Sequence, residues 1–476
     1  MEINFILNNE DKCIEVDPMF PVLRLLRETM GISSVKTGCG EGECGACTVI
    51  LGTPENGIIR YKNVATCIMP AGKLNGKHLV TVEGINGDKL SPVQKTLVDE
   101  GAVQCGFCTP GFVMSLTGFF LGGEKLSYKN ILNAIDGNIC RCTGYFPIKR
   151  TAKKLLESVS EYPDTEERIK KLVELSFIPR YFLTIRDRLV ELKEKILTDK
   201  SIKNEINEKM IFVGGGTDLL VEKSGRTGAD YTRFISNMAG NINLISKKDE
   251  FIRIGAGVSV TDIKDSEVIR EHIPGIENFM EQVSSGIIRN MATLGGNIVN
   301  ASPIGDLSVL FLALDSSLVL SKDGVTREIK LKDFFRGYKV LDLKDGELIE
   351  FLKFPSYDNN VYINFEKVSK RNYLDIAACN SAILIRNENR KIKKCMISAG
   401  GVSPVPLYLQ KSSEFITGKE ITIENLKELS KITLTEISPI SDVRGSAEYK
   451  KELLNRLILS HFILLFPDLV NEGDLI

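Results

Sequence analysis

The sequence predicts a chain of several α+β domains, and three observations predict it. Its 476 residues correspond to about three domains at roughly 150 residues each. Nine of the eleven cysteines lie before residue 143, which sets that part apart from the rest. Within it, apolar residues alternate with a strand period up to about residue 84 and with a helical period from about 90 to 160.

A hydrophobic content of 43% and a charged content of 26% describe a soluble globular chain and exclude disorder and fibres. The 61 basic and 62 acidic residues leave a net charge of −1, without the surplus that binds a phosphate backbone, so no nucleic-acid partner is expected. The first residues, MEINFILNNEDKCIEV, carry acidic and amide groups where a secretory signal has basic ones. Runs such as Leu307–Leu320 and Phe462–Phe466 are broken by Asp or Ser or are too short against the ~20 residues that cross a bilayer. The expectation is a cytoplasmic protein with no membrane partner.

In chain order, EINFIL at 2–7 and the alternation at 13–16, separated by Asn8-Asn9-Glu10-Asp11, form the pattern of a β-hairpin. FPVLRLLRET at 20–29 has Pro21 near its start and Gly31 after its end, as a short helix does. A glycine- and cysteine-rich loop and a strand at 47–51 follow, and alternation returns at 58–68 and 78–83. Together they make a small α+β domain over 1–84, built round the cysteine loop. Helices open at Ser91-Pro92, at Thr109-Pro110, at Ser127 and at Phe146-Pro147, and predict a four-helix bundle over 85–160. The charge-dense stretch that follows reads as solvated helix and linker over 161–205.

Beyond it, strand MIFV runs into Gly214-Gly215-Gly216 and a helix through Thr217-Asp218-Leu219-Leu220, and FIRIGAGVSV starts another unit. Strands at 318–321, 347–354, 381–386 and 392–399 alternate with helices, and the chain closes with helices at 424–435 and 446–466. No internal repeat is present.

Clustered thiols in a reducing compartment read as metal ligands rather than disulfides. Cys39-x4-Cys44-x2-Cys47, with Cys67 after nineteen more residues, has the ligand spacing of plant-type [2Fe–2S] ferredoxins. Its glycines fit that chemistry, because the anionic sulfurs need inward N–H groups and only glycine lets the backbone turn so tightly past them. A four-cysteine zinc knob usually shows two C-x2-C pairs, absent here. Cys105-x2-Cys108 and Cys140-x1-Cys142 form a second set, with thirty-one residues between its halves. A C-x1-C pair suits bridged iron, which divides its ligands between two tetrahedral sites, better than zinc. Cys13, Cys379 and Cys395 read as small core hydrophobes.

Two glycine loops in one region, Gly214-Gly215-Gly216 and Leu294-Gly295-Gly296-Asn297, let backbone amides approach a pyrophosphate. Neither is the G-x-G-x-x-G pattern. On residues alone, Asp306 and Lys367 read as exposed surface charges.

The runs GCGEGECGAC at 38–47, QCGFCTPG at 104–111 and ICRCTGY at 139–145 resemble the two iron–sulfur domains of the xanthine dehydrogenase family of molybdenum hydroxylases. FVGGGTDLL at 212–220, ATLGGN at 292–297, SPIGD at 302–306 and FRGYK at 335–339 resemble its flavin domain, and PISDVRGSAEY at 439–449 the domain that closes it. The resemblance is greatest to the separate small subunit of two-subunit bacterial enzymes. It implies a ferredoxin-like domain over 1–84, a helical [2Fe–2S] domain over 85–160, an α+β FAD-binding domain over 206–360 and a C-terminal α/β flavoprotein domain over 361–470. It further implies one [2Fe–2S] cluster on Cys39, Cys44, Cys47 and Cys67, and another on Cys105, Cys108, Cys140 and Cys142. FAD is then held by Val213, Gly214, Gly215, Gly216, Thr217, Asp218, Leu219 and Leu220 at the pyrophosphate, and by Thr293, Leu294, Gly295, Gly296 and Asn297 at the phosphates and flavin edge. Asp306 falls on the ribose side, and Ile349 and Lys367 flank the isoalloxazine. Animal members place a phenylalanine against the flavin just before the second loop; Val283–Arg289 here has no aromatic.

By the same resemblance the chain is an electron-transfer oxidoreductase subunit with no catalytic acid or base of its own. Molybdopterin is expected only on a large partner subunit that oxidises xanthine or hypoxanthine, and NAD is the expected acceptor. An aldehyde or another N-heterocycle as substrate, a stand-alone flavoprotein carrier and a zinc-binding scaffold are the alternatives.

Overall fold

The computed structural model describes residues 1–87, 89–159, 165–198, 211–222, 232–234, 238, 241–358, 360–371, 373–388, 391–471 and 473. Contacts divide the chain into two units, one of Met1–Glu205, Gly215–Phe234 and Ser285–Met291, the other of Ile206–Gly214, Ile235–Ser284 and Ala292–Ile476.

In the first unit β1 (Glu2–Leu7), β2 (Glu10–Glu15), β3 (Thr48–Glu55), β4 (Ile58–Ala65) and β5 (His78–Val80) form one sheet in the order β2-β1-β5-β3-β4. β1 and β5 run parallel and the other pairs antiparallel. The hairpin turns at Asn8-Asn9, tighter than expected, with Asn8 left-handed at φ 55°. The helix expected over 20–29 is an α-turn at Val22–Arg24 that widens into a π-turn at Leu25–Thr29, with Val22, Leu23, Leu25 and Leu26 all buried.

Helices then run over Pro92–Asp99, Thr109–Gly122, Tyr128–Asn133 and Phe146–Glu157. The first starts in a full capping box between Ser91 and Gln94. Thr109–Gly122 is apolar nearly all round because it is central, buried from Gly111 to Leu121. It lies against β3 and β4; Gly118 admits the Asn63 side chain where a Cβ would stand 1.8 Å from its Oδ1.

The stretch expected as solvated helix and linker is helical, and one face of it is buried. Helices Thr165–Glu174 and Ile185–Thr198 flank a short 3-10 turn, and Leu172, Phe177, Phe182, Ile185 and Leu189 join the same core as the preceding helices. The apolar residues are few but recur at helical intervals, so one stripe is buried while the charges face water. Residues 161–164 and 199–210, where the expected linker boundaries fall, lie outside the described residues.

In the second unit β6 (Ile245–Lys248), β7 (Phe251–Gly255), β8 (Ser317–Lys322), β9 (Val325–Lys330) and β10 (Leu348–Pro355) pair antiparallel in the order β9-β8-β10-β7-β6. A second antiparallel sheet orders β11 (Val361–Val368), β12 (Cys379–Glu388), β13 (Lys391–Gly400) and β14 (Leu407–Tyr408). It carries the helices Gln410–Ile416, Ile423–Glu436 and Ala447–Leu465. Helix Asp306–Ala313, buried from Leu307 to Ala313, packs on β12 and β13, and its core also holds Leu318, Leu352, Phe365 and Leu384. One face of the second sheet thus joins this core across residue 360, while its other face and the three helices build a separate core around Ile383, Leu429 and Phe462. No helix among the described residues is long and apolar enough to cross a membrane.

Candidate functional site

Two sets of thiols converge in the first unit. Cys39 and Cys44 sit on the glycine loop, Cys47 leads into β3, and Cys67 sits on the 3-10 turn Thr66–Ile68 after β4. The Cys39 thiol contacts those of Cys44 and Cys67, and Cys67 contacts Cys47. Backbone amides point at these sulfurs, among them Cys39 N to Cys44 Sγ at 3.3 Å, Glu41 N and Glu43 N to Cys39 Sγ at 3.3 Å, and Gly42 N to Cys67 Sγ at 3.2 Å. Gly40, Gly42 and Gly45 take φ of 78°, 81° and 66°, conformations that other residues rarely adopt. At Gly38 a Cβ would come within 2.5 Å of Cys44 Sγ.

The electrostatics are those of a ligand set. Contact with the Cys44 and Cys67 thiols, and then the Glu41 and Glu43 amides, hold Cys39 far below the ordinary thiol range. The Cys39 thiol and then burial drive Cys44 upward, and Cys39, Cys47 and burial drive Cys67 upward. Four sulfurs this close become thiolates together only around positive charge, which iron supplies, so the residues present fit the group.

The second set pairs across its two loops: Cys108 contacts Cys140, and Cys105 contacts Cys142. Burial, and then Cys140, pushes Cys108 up to about 12. Burial alone would raise Cys140 as well, yet it falls below its ordinary value because Thr143 and the Cys142 amide bond its sulfur, with Thr143 Oγ1 at 3.2 Å. This two-plus-two division suits a pair of bridged irons.

The ligand loops of the two sets touch. Ile139 N donates to Cys44 O at 3.0 Å. Asn138 Nδ2 donates to Gly45 O at 3.1 Å, and Asn138 Oδ1 accepts from Ser115 Oγ at 2.7 Å. A Cβ on Gly111 would stand 2.2 Å from Gly45 O, and one on Gly45 2.5 Å from Gly137 O. Nothing local in sequence marks Asn138 or Ser115, which act across 93 and 23 residues.

In the second unit strand Ile211–Val213 ends in buried Val213 and leads to Gly214, where a Cβ would stand 2.3 Å from Thr293 Oγ1. Thr293 caps helix Leu294–Asn300 by accepting from Gly296 N at 3.2 Å. Leu294 N and Gly295 N donate to Val258 O and Ala256 O at 3.0 and 2.8 Å, and a Cβ on Gly295 would meet Ala256 O at 2.9 Å. Asn297 Oδ1 accepts from Ser308 N and Oγ, both at 3.3 Å. The glycines at both loops thus allow close packing of Gly214 on Thr293 and of Gly295 on Ala256, and the amides of Leu294, Gly295 and Gly296 are bonded within the fold. Gly215, Gly216 and the helix Thr217–Glu222, which carries Asp218, Leu219 and Leu220, belong to the first unit, with Gly216 at φ 81°.

Asp306 and Lys367, expected as exposed charges on residues alone, form a buried pair at 2.7 Å. Lys367 Nζ also donates to Gln282 O at 2.8 Å, and Asn380 Nδ2 to Asp306 Oδ1 at 2.6 Å. Ile349 lies opposite Leu320 on β10, 3% exposed in the core. Asn380 and Gln282 were not anticipated; their partners are distant in sequence.

Comparison with known proteins agrees along the chain. Residues 5–71 match a 2Fe-2S iron-sulfur cluster binding domain and 81–153 a [2Fe-2S] binding domain. Residues 188–357 match the FAD binding domain in molybdopterin dehydrogenase, and 365–464 the CO dehydrogenase flavoprotein C-terminal domain. The xanthine dehydrogenase of Emericella nidulans is 30% identical over 88% of this chain, that of Dictyostelium discoideum 26% over 99%, and aldehyde oxidase 2 of Mus musculus 27% over 97%. The chain spans 35%, 41% and 38% of their lengths. In fold, the carbon monoxide dehydrogenase of Hydrogenophaga pseudoflava is similar over 56% of this chain and 92% of its own, at 20% identity and a TM-score of 0.52. With two [2Fe–2S]-binding domains, an FAD-binding domain and a flavoprotein C-terminal domain in order, the chain belongs to the molybdenum hydroxylases of the xanthine dehydrogenase family and carries their electron-transfer modules.

Proposed function

We propose that this chain relays electrons from a molybdopterin-binding partner to NAD, as an oxidoreductase subunit resembling that of xanthine dehydrogenase. Cys105, Cys108, Cys140 and Cys142 hold the centre nearer the partner, and Cys39, Cys44, Cys47 and Cys67 the centre nearer FAD. FAD is held by Val213 to Leu220, Thr293 to Asn297, Asp306, Ile349 and Lys367. The observation that carries the reading is the contact of two four-thiol sets through Ile139 N and Cys44 O. When bound, the clusters pass single electrons, whereas FAD collects two and delivers a hydride. This chain's residues supply the thiolates, aim amides at them and exclude water from Cys47 and Cys67, which are buried.

The partner-side assignment draws support from exposure. Cys105 and Cys142 face solvent beside Phe107 and Phe146, 47% and 74% exposed, and apolar rings at an exposed redox site suit a docking protein. The xanthine dehydrogenases among the relatives favour a purine as the partner's substrate; the 27% identity to aldehyde oxidase 2 supports an aldehyde as the second reading.

The test uses the full chain alone and with its molybdenum partner. Alone it should reduce an artificial dye with NADH and leave xanthine untouched; with the partner, xanthine-dependent NAD⁺ reduction should appear. Reduction driven by an aldehyde but not xanthine selects the second reading. A chain that binds no molybdenum partner is a stand-alone carrier, and one that binds zinc in place of iron ends the proposal.

A further inference from the structure

The stretch Val283–Arg289 lacks the aromatic of the animal enzymes, yet from Ser285 onward it is built into the first unit. Segment Ser285–Met291 belongs to that unit. Gly286 N and Arg289 Nη2 donate to the two oxygens of Asp136 at 2.9 and 2.7 Å, and the Arg289 and Asp136 side chains are 4% and 2% exposed. Asn290 Nδ2 donates to Asn63 O at 2.8 Å. Ile287 sits in the core that holds Cys47 and Cys67.

Pinned in this way, the segment sets Ile288 over the first ligand loop. A Cβ built on Gly42 would meet Ile288 Cδ1 at 3.3 Å and Ile68 Cδ1 at 2.5 Å, so the two isoleucines close over this glycine. Gly42 is buried, and its amide donates to Cys67 Sγ; the Cys39, Glu41 and Glu43 amides bond sulfur on the exposed side, while the buried amides of Cys67 and Ala46 bond Cys47 and Cys44. The Cys67 end is thus the dry end of the set.

We propose that Ile288 shields this end from water and so holds down the reduction potential of the first [2Fe–2S] centre, with Arg289 as its positioning residue. The inference rests on the reading that Cys39, Cys44, Cys47 and Cys67 hold that centre. Reduction adds a negative charge to a group already anionic. Water stabilises the added charge and an aliphatic side chain does not, so removing the shield moves the potential upward.

Redox titration of the anaerobic full-length chain, following the paramagnetic signal of each centre, tests this. Ile288→Asn should raise the reduced-to-oxidised ratio of the first centre about tenfold at a fixed ambient potential, a shift of about 59 mV for a one-electron couple. Ile288→Val should leave it unchanged. Arg289→Lys should shift it in the same direction as Ile288→Asn, because an ammonium does not reproduce the fixed fork of the guanidinium. The second centre should keep its potential throughout. An unchanged first centre in Ile288→Asn, equal shifts in both centres, or loss of the first centre from Ile288→Val would overturn the proposal; an unchanged Arg289→Lys would remove the positioning role. A parent chain without a first centre would overturn instead the reading on which it rests.

Discussion

Lys367 Nζ stands 2.7 Å from Asp306 Oδ2, and water is nearly excluded from both, with side chains 3% and 12% exposed. Sixty-one residues separate them, so β11 and helix Asp306–Ala313 are tied at their ends by opposite charges with few other partners. Removing one member of such a pair leaves the other charge buried and uncompensated, at a cost of about 3–5 kcal/mol.

Lys367→Met and Asp306→Leu are therefore each expected to destabilise the chain by roughly that much in chemical denaturation, whereas the double variant recovers most of the loss. If both residues also face FAD, the double variant regains stability without regaining flavin. Strict additivity of the two losses would refute the coupling.

Two separate ligand sets predict about four irons per chain and two distinguishable signals from reduced [2Fe–2S] centres. Cys44→Ser should abolish the first signal and Cys108→Ser the second, with FAD retained in both. In the complex with the molybdenum partner, Cys108→Ser should cut substrate-dependent NAD⁺ reduction far more than NADH–dye activity; equal loss of both rates would argue against the proposed order of centres.

Gly111 and Gly122 lie on one helix in different surroundings. A Cβ on Gly111 would stand 2.2 Å from the backbone oxygen of Gly45, and one on Gly122 3.4 Å from Tyr61 O. Gly111→Ala should loosen the contact of the ligand loops and lower the unfolding midpoint. Gly122→Ala should be close to neutral, since relief of glycine's backbone entropy, about 0.5–1 kcal/mol, offsets the tighter contact.

How much was legible in sequence divides along physical lines. The cysteine sets were visible because ligand spacing is local, and the hairpin and helix starts because turn and cap residues sit beside the elements they begin. The stretch at 165–198 read as solvated helix and linker, and its buried face was missed because charged residues outnumber a narrow stripe of Leu172, Phe182, Ile185 and Leu189. Asp306 and Lys367 read as surface charges because nothing near either one shows that it is buried. Asp136 and Arg289, 153 residues apart, were out of reach for the same reason.

Acid should weaken the fold before the carboxylates titrate. Burial holds His78 and His461 down to about 3, whereas in the unfolded chain each takes its proton near pH 6.5. The unfolded state therefore binds more protons in this window, and each histidine removes about 1.4 kcal/mol of stability per unit as pH falls from about 6.5 toward 3. Denaturation at pH 7 and 5.5 measures the slope, which should flatten in the double variant His78→Gln, His461→Gln.

The seam at which Gly45 meets Gly111, with Asn138 bonded across it, bears on how such chains are assembled in evolution. A ferredoxin-like domain taken from another protein fits this helical partner only if its ligand loop offers a bare glycine and turns its carbonyl toward the partner at the matching place. A helical domain with a side chain at 111, or without the amide at 138, rejects the native loop. Exchanging either domain alone should therefore give hybrids whose ligand loops do not close on each other.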